Sequence, residues 1–278
     1  MNYMLMNNEP AIRMSFFFGV FIAVALWEIA SPRRKLGMSK VTRWIGNIGI
    51  LLFNTILTRI LFPAAAVGLA VIADDRVWGL MNNLPSPFWL KFLFAIIFLD
   101  FAIYLQHVLF HAAPALWRLH RMHHTDLDYD VTTGTRFHPL EIILSMVIKF
   151  IVVISIGAPP AAVLIFEVLL NATAMFNHGN IYINKSIDKF LRLFIVTPDF
   201  HRVHHSLIDH ETNSNFGFNL PWWDYLLGTY QAQPTKGHIE MEIGINKFRD
   251  PKDNTFFQMI CQPFKGEITD YAINSRKW

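Results

Sequence analysis

The stretch WRLHRMHHTDLDYDVTTGTRFHPLE, residues 117–141, carries four of the chain's twelve histidines, three of them within five positions. A second run of the same spacing, HRVHHS, occupies residues 201–206, and a further pair stands in HVLFH at 107–111. Residues three and four apart share one face of a helix, so each cluster aims two or three imidazoles at one point. His124 and His205 follow their neighbours by about 100° round a helix, which leaves each free to serve a second ion. Imidazole suits iron, zinc, copper and nickel. His107, His111, His120, His123, His124, His201, His204 and His205 are too many for one ion. His178 and His138 extend the set to ten, and two octahedral ions offer roughly twelve positions, leaving about two open. A lone histidine beside a membrane helix is ordinarily an interfacial polar residue, so His210 and His238 receive no role. Cys261 is the only cysteine, which excludes an intrachain disulfide or a thiolate cluster.

These histidines are set in a hydrophobic chain. Of 278 residues, 53% are hydrophobic and 16% charged, with a mean hydropathy of +0.31; a soluble domain carries about 25% charge. Residues 14–30 are apolar up to Glu28 and end at Ser31-Pro32. The stretch is too long for a signal-peptide core and lacks a strong basic flank, so it reads as an anchor. The following loop holds Arg33, Arg34, Lys35, Lys40 and Arg43, a cytoplasmic signature by the positive-inside rule. A second apolar stretch, Trp44 to Ala73, exceeds the length of about 20 residues that one crossing needs and should be tilted or broken near Pro63. A third runs from Phe88 to about Phe110, and residues 140–176 form two shorter arms about Pro159-Pro160. With the 31–43 loop cytoplasmic, this alternation puts every histidine from His107 to His205 on one membrane face. The net charge of +3 and pI near 9.0 fit basic loops beside anionic headgroups, and no basic stripe suggests nucleic acid. The expectation is an all-α, integral-membrane helical bundle with a cytosolic, histidine-rich helical cap. Its segments are an anchor with a basic cytosolic loop (1–43), a catalytic membrane domain (44–230) and a C-terminal cytosolic tail (231–278).

Two polar stripes point to the same centre. Asp100, Tyr104, His107 and His111 are spaced 4, 3 and 4, on one face of the third span; Glu167, Asn171 and His178 line one face of the fifth. Ionisable residues inside a span are costly and face a cavity or a partner. Asp100 and Tyr104, with Asp224, are the expected catalytic residues, acting on or behind the imidazoles. Trp222-Trp223 follows the last box and reads as an interfacial pair, so this segment should dip back to the membrane and seat the HRVHH helix.

With these boxes the chain resembles the fatty acid hydroxylase/sterol desaturase superfamily. The resemblance runs from about Asp100 to Tyr230 and includes HVLFH, the 117–141 stretch, FNHGN (176–180), HRVHHS and NFGFNLPWWDYLLGT (215–229). It implies a cytosol-facing centre of two iron ions above a helical membrane bundle, with O₂ as co-substrate and a lipid as substrate, hydroxylated or desaturated. By position it implies His107, His111, His120, His123, His124, His178, His201, His204 and His205 as ligands. Some members carry a further histidine where Ala174 stands, four residues before His178; His138 is the expected replacement. Asp126, Asp128, Asp130, Asp199 and Asp224 are the carboxylates expected behind an all-imidazole shell. No haem-domain signature is present, so electrons should come from a separate donor, a cytochrome b5-like protein, a ferredoxin or a flavoprotein reductase. A membrane metal transporter or sensor is the competing reading, and it predicts ligands near the bilayer midplane. A bis-histidine cytochrome leaves the paired HxxHH boxes unexplained.

Overall fold

The computed structural model describes residues 2–266, and among these every regular element is helical. Five segments are long and apolar enough to cross a membrane: Asn8–Ala30, Lys40–Asp75, Phe88–Ala112, Pro139–Ile156 and Pro160–Asn177. They correspond to helices α1 (Asn2–Ala30), α2 (Lys40–Leu61) with α3 (Ala65–Asp75), α4 (Phe88–Ala112), α6 (Pro139–Ile156) and α7 (Pro160–Asn177). Between α4 and α6 lies α5 (Pro114–His124), which carries HRMHH. The remaining helices are short: α8 (Lys185–Leu191), α9 (Pro198–His204), α10 (Asp209–Thr212), α11 (Trp222–Leu227), α12 (Gly237–Glu240) and α13 (Phe256–Cys261).

Local chemistry sets the boundaries. The Ser39 hydroxyl accepts from the Thr42 amide at the start of α2. Pro63 stops α2, and the chain resumes as α3 through Ala65 at φ +50, so the long second stretch is broken where expected. Prolines occupy the first turns of α5, α6, α7 and α9, where a missing amide hydrogen costs nothing. At the end remote from the histidines, Leu80 N–H donates to Ser155 O at 3.0 Å. There Gly79, at φ +88, lies so close to the Gly157 backbone that a side chain has no room. The central apolar core joins α3, α4, α6 and α7 through Val67, Leu99, Val153, Val163 and Phe166. Large apolar side chains such as Ile22, Leu26, Ile56, Ile60, Leu93 and Ile151 point outward from the bundle, as lipid contact requires.

The ends of α1, α2, α4, α6 and α7 nearest the histidines meet the short helices in one cap. The clamp between them is Arg43 on α2. Its Nε and Nη2 donate to Asp126 at 2.7 and 2.8 Å, and its Nη1 donates to Asp130 at 2.6 Å, with all three side chains fully buried. Glu28 at the end of α1 accepts from the Val131 and Asn180 amides at 2.7 and 2.9 Å, tying the anchor to both polar segments. Arg33 pairs with Asp199 at 3.0 Å, and Arg34 donates to Met241 O at 2.6 Å. Three cations of the basic loop are thus committed inside the protein rather than to headgroups. Residues 231–266 fold back on the cap: Met241 and Ile243 pack on Tyr129, and Met259 packs on Ile50 and Met122. The rest of the expected C-terminal tail lies outside the described residues.

Removing one partner of a buried ion pair costs about 3–5 kcal/mol. Arg43→Met, which strands Asp126 and Asp130, is expected to lower the stability of the purified protein by that order, seen as a large fall in its detergent melting temperature. An unchanged melting temperature would show that the clamp is dispensable.

Candidate metal centre

The ends of helices bring the boxes together. α4 stops at Ala112, Ala113 is extended, and Pro114 starts α5 at once. This tight corner folds α5 back on α4, leaving the His107 and His120 ring centroids 4.9 Å apart and those of His111 and His124 also 4.9 Å apart. Thr197 Oγ1 accepts from the Phe200 amide and starts α9 four residues before His201. His178 caps α7, level with this helix.

The structure gathers nine of the ten expected ligands into two groups, each able to hold a metal ion. His107, His111, His120, His124 and His204 form one; His123, His178, His201 and His205 form the other. Within each group the candidate ligand atoms lie within 4.8 Å of one another, and all nine residues are buried. The sorting differs from the simplest expectation. In HRMHH the pair His120 and His124 stays together and His123 crosses over; in HRVHH the pair His201 and His205 stays together and His204 crosses. The reason is angular. Residues four apart diverge by only about 40° on a helix, whereas consecutive ones diverge by about 100°.

Hydrogen bonds fix which nitrogen of each ring is available. Nδ1–H of His107 donates to Phe216 O at 2.8 Å, that of His123 to Arg136 O at 3.1 Å, that of His178 to Ala174 O at 2.7 Å and that of His204 to Ser214 O at 2.7 Å. His111 Nδ1–H donates to Asn213 Oδ1 at 3.2 Å, and His120 Nδ1–H to Glu141 Oε1 at 2.6 Å. A carbonyl oxygen can only accept, so the proton is on Nδ1 and the lone pair on Nε2. His107 and His120 then face each other Nε2 to Nε2 at 3.1 Å, and His178 faces His123 at 3.1 Å and His201 at 3.2 Å. Neutral lone pairs at this distance repel. Protonation is opposed as well: burial and neighbouring imidazoles push His123, His124, His201, His204 and His205 well below the usual histidine range, and burial lowers His178 to about 3. Among the described residues, Nε2 of His111 and His204 and both ring nitrogens of His124 and His205 lack hydrogen-bond partners. Neutral, convergent and unsatisfied nitrogens are what metal ions require, so the residues fit two ions.

The other expected site residues lie elsewhere. His138 is outside both groups: its Nδ1 accepts from the Leu140 amide at 3.2 Å as the α6 cap, and its Nε2–H donates to Ile260 O at 3.1 Å. Both nitrogens are spent, so it does not replace the histidine absent at Ala174, and the second group keeps four members. Asp100, Tyr104 and Asp224 sit behind the imidazoles. Asp224 accepts from the Phe216 and Gly217 amides at 2.8 and 2.7 Å and from Thr229 Oγ1 at 2.6 Å, and burial raises it to about 6. It therefore holds the carbonyl that orients His107. Tyr104 is within hydrogen-bond distance of the same Thr229, and Asp100 accepts from Trp223 Nε1 at 2.8 Å, docking α11 on α4. Of the other aspartates, Asp126 and Asp130 serve Arg43, Asp128 accepts from the Gly37 and Met38 amides, and Asp199 pairs with Arg33 and Arg202. Glu141 was missed; among the described residues it alone places a carboxylate on one of the nine imidazoles. Its signal is slight, an acid in the first turn after His138-Pro139.

Beside His107 and His120 a cavity of about 230 Å³ runs down between α4, α6 and α7. The family description "Fatty acid hydroxylase" matches residues 92–229, which include all nine histidines. The chain belongs to the fatty acid hydroxylase family. Ornithine lipid hydroxylase OlsE of Rhizobium tropici is 29% identical over 250 residues, 87% of this chain and 72% of that protein. Human alkylglycerol monooxygenase is 29% identical over 176 residues, 61% of this chain and 37% of its own, and the Caenorhabditis elegans protein 27% over 219, 73% and 41%. The chain thus spans less than half the length of these two monooxygenases. No solved structure matches it. Family membership and these relatives support an integral-membrane oxidoreductase acting on a lipid.

In this family member Gly134 packs against the second group. A Cβ there would stand 2.5 Å from Ala174 O and 3.2 Å from His178 Nδ1, displacing the acceptor that orients His178. Gly134→Ala is expected to leave a folded protein with less metal per chain. Metal analysis of monodisperse protein tests this, and full wild-type metal content would count against it.

Proposed function

We propose that this protein hydroxylates a C–H bond of a membrane lipid, using O₂ and two iron ions held by the nine histidines. The observation that carries the reading is the pair of buried, neutral imidazole groups, the first of which opens through His107 and His120 on a cavity inside the membrane bundle. Iron at such a site would supply O₂ activation and the oxidising power to break an unactivated C–H bond. The chain supplies the rest. Fixed Nδ1 acceptors hold the rings in place, the neighbouring cavity presents the lipid at a defined position, and burial keeps bulk water away. Asp224, Asp100 and Tyr104 act as positioning residues through the 213–229 loop. Hydroxylation is favoured over desaturation because the relatives are named hydroxylase and monooxygenase. Electrons would come from a separate donor such as a cytochrome b5-like protein, a ferredoxin or a flavoprotein reductase. The transporter reading is disfavoured because both groups sit in the cap rather than along a path through the bundle.

Iron per purified chain should approach two, and chelation should abolish lipid oxidation with recovery on adding iron. His204→Ala should lose activity and metal while the bundle stays folded; a fully active, metal-replete variant would refute the assignment.

The cap is assigned to the cytoplasm. Single cysteines at Asn83, between α3 and α4, and at Lys252 in the cap, with Cys261 replaced, should label from outside and only after permeabilisation respectively. Labelling of Lys252→Cys from outside would reverse the orientation.

A further inference from the structure

Two cavities meet inside the bundle. The one beside His107 and His120 shares Phe17, Leu51 and Asn171 with a second, of about 540 Å³, bounded by α1, α2 and α7. α1 and α2 touch near the cap, where Phe21 meets Trp44 edge-on at 5.6 Å. Farther from the cap the cleft lies between them, with Met14, Phe18, Leu52 and Ile56 exposed along its mouth. A lipid in the bilayer can enter sideways at this gap.

The chemistry of the walls gives the lipid an orientation. At the histidine end, Glu141 Oε2 and Asn54 Oδ1 are buried acceptors without a hydrogen-bond partner among the described residues. The Asn54 amide is not free to flip, because its Nδ2 donates to Phe137 O at 2.8 Å. The Phe137 ring in turn stacks on His123 at 4.5 Å, so this acceptor stands near the second group. Gln106 Nε2 donates to Ser145 Oγ at 2.9 Å and leaves its carbonyl oxygen unsatisfied as well. Lys149 adds no free charge, being paired with Glu167 at 2.6 Å. Toward the bilayer the lining turns apolar through Phe17, Leu51 and Ile56. Of the two cations there, Arg13 is paired with Glu167 and Glu9 at 2.5 and 2.7 Å, and Arg59 stands in the last turn of α2.

Buried acceptors left unpaired are costly, so the group that fills this end must bring hydrogen-bond donors. We propose that the cavity receives the hydroxyl- or amino-bearing polar head of a lipid, with its chains leaving between α1 and α2. The carbon oxidised is then in the head or next to it, and not in the middle of a chain. This rests on the lipid-oxidation reading and specifies which part of the lipid faces the centre.

The test is photolabelling of the full-length, iron-loaded protein in phosphatidylcholine nanodiscs. One monoacylglycerol probe carries a diazirine beside its ester and another carries it at the chain terminus. The first should label residues within 103–110 and 134–146, the second residues within 10–16 and 55–59. The reverse pattern would place the head near Arg59 and the chain end at the histidines, and would overturn the inference. Unlabelled monoacylglycerol and a long-chain primary amine should each compete about tenfold better than a fatty-acid methyl ester of equal length, the effect of leaving one buried acceptor unpaired. Equal competition by the methyl ester would overturn donor recognition. Thr55→Trp, an exposed change at the mouth, should suppress labelling by both probes at unchanged iron content, and unaltered labelling would rule out this entrance. Labelling needs no turnover. An inactive protein labelled in the expected order counts against the oxidation reading alone, and an active protein labelled in reverse counts against this inference alone.

Discussion

Everything in the cap depends on where the imidazole Nδ1 hydrogens go. A buried neutral histidine has one donor and one lone pair, and whichever nitrogen finds an acceptor leaves the other for a ligand. Six of the nine give Nδ1–H to a fixed oxygen, four of those oxygens being backbone carbonyls. Three of the acceptors come from one short stretch, Asn213, Ser214 and Phe216. That stretch is itself held tightly. Asn215, at φ +53, donates through Nδ2 to Phe200 O and Gln231 O, and Asp224 gathers the two amides that follow. The NFGFNLPWWD segment works as a clasp across the first histidine group.

Electrostatic balance sets a second constraint. The loop from 126 to 136 buries Asp126 and Asp130, and Arg43 and Arg136 are buried with them. Arg136 donates to Met122 O, Asn254 Oδ1 and Thr125 Oγ1, so the same residue that orients His123 through its carbonyl braces the end of α5 through its guanidinium. Asp128 is buried in the same loop, and Arg43 forms the direct ion pairs to Asp126 and Asp130. Among the described residues, Glu141 is the carboxylate in direct contact with one of the nine imidazoles.

Much of this was legible in the sequence. Hydropathy located the candidate spans because apolar length is a direct requirement of the bilayer, and repeated HxxHH spacing marked the histidines that gather into the two groups because helical phase makes such repeats converge. Other features carry no residue signature. The acceptors of His107, His123, His178 and His204 are peptide carbonyls, which every residue has. Which histidine crosses to the other group depends on how α5 and α9 are rotated. The basic loop was read as facing headgroups, yet Arg33, Arg34 and Arg43 found partners inside the protein, a choice that tertiary packing makes and local sequence does not show. His138 had a local cue: a histidine directly before a proline at a helix start is placed to cap.

The crossing of His123 and His204 has a mechanical consequence. Each HxxHH helix feeds both groups, so neither can turn about its axis to suit one group without drawing a nitrogen away from the other. Two separate groups could each drift and refine alone; these two are geared together like meshed teeth, and the spacing between them becomes a property of the backbone.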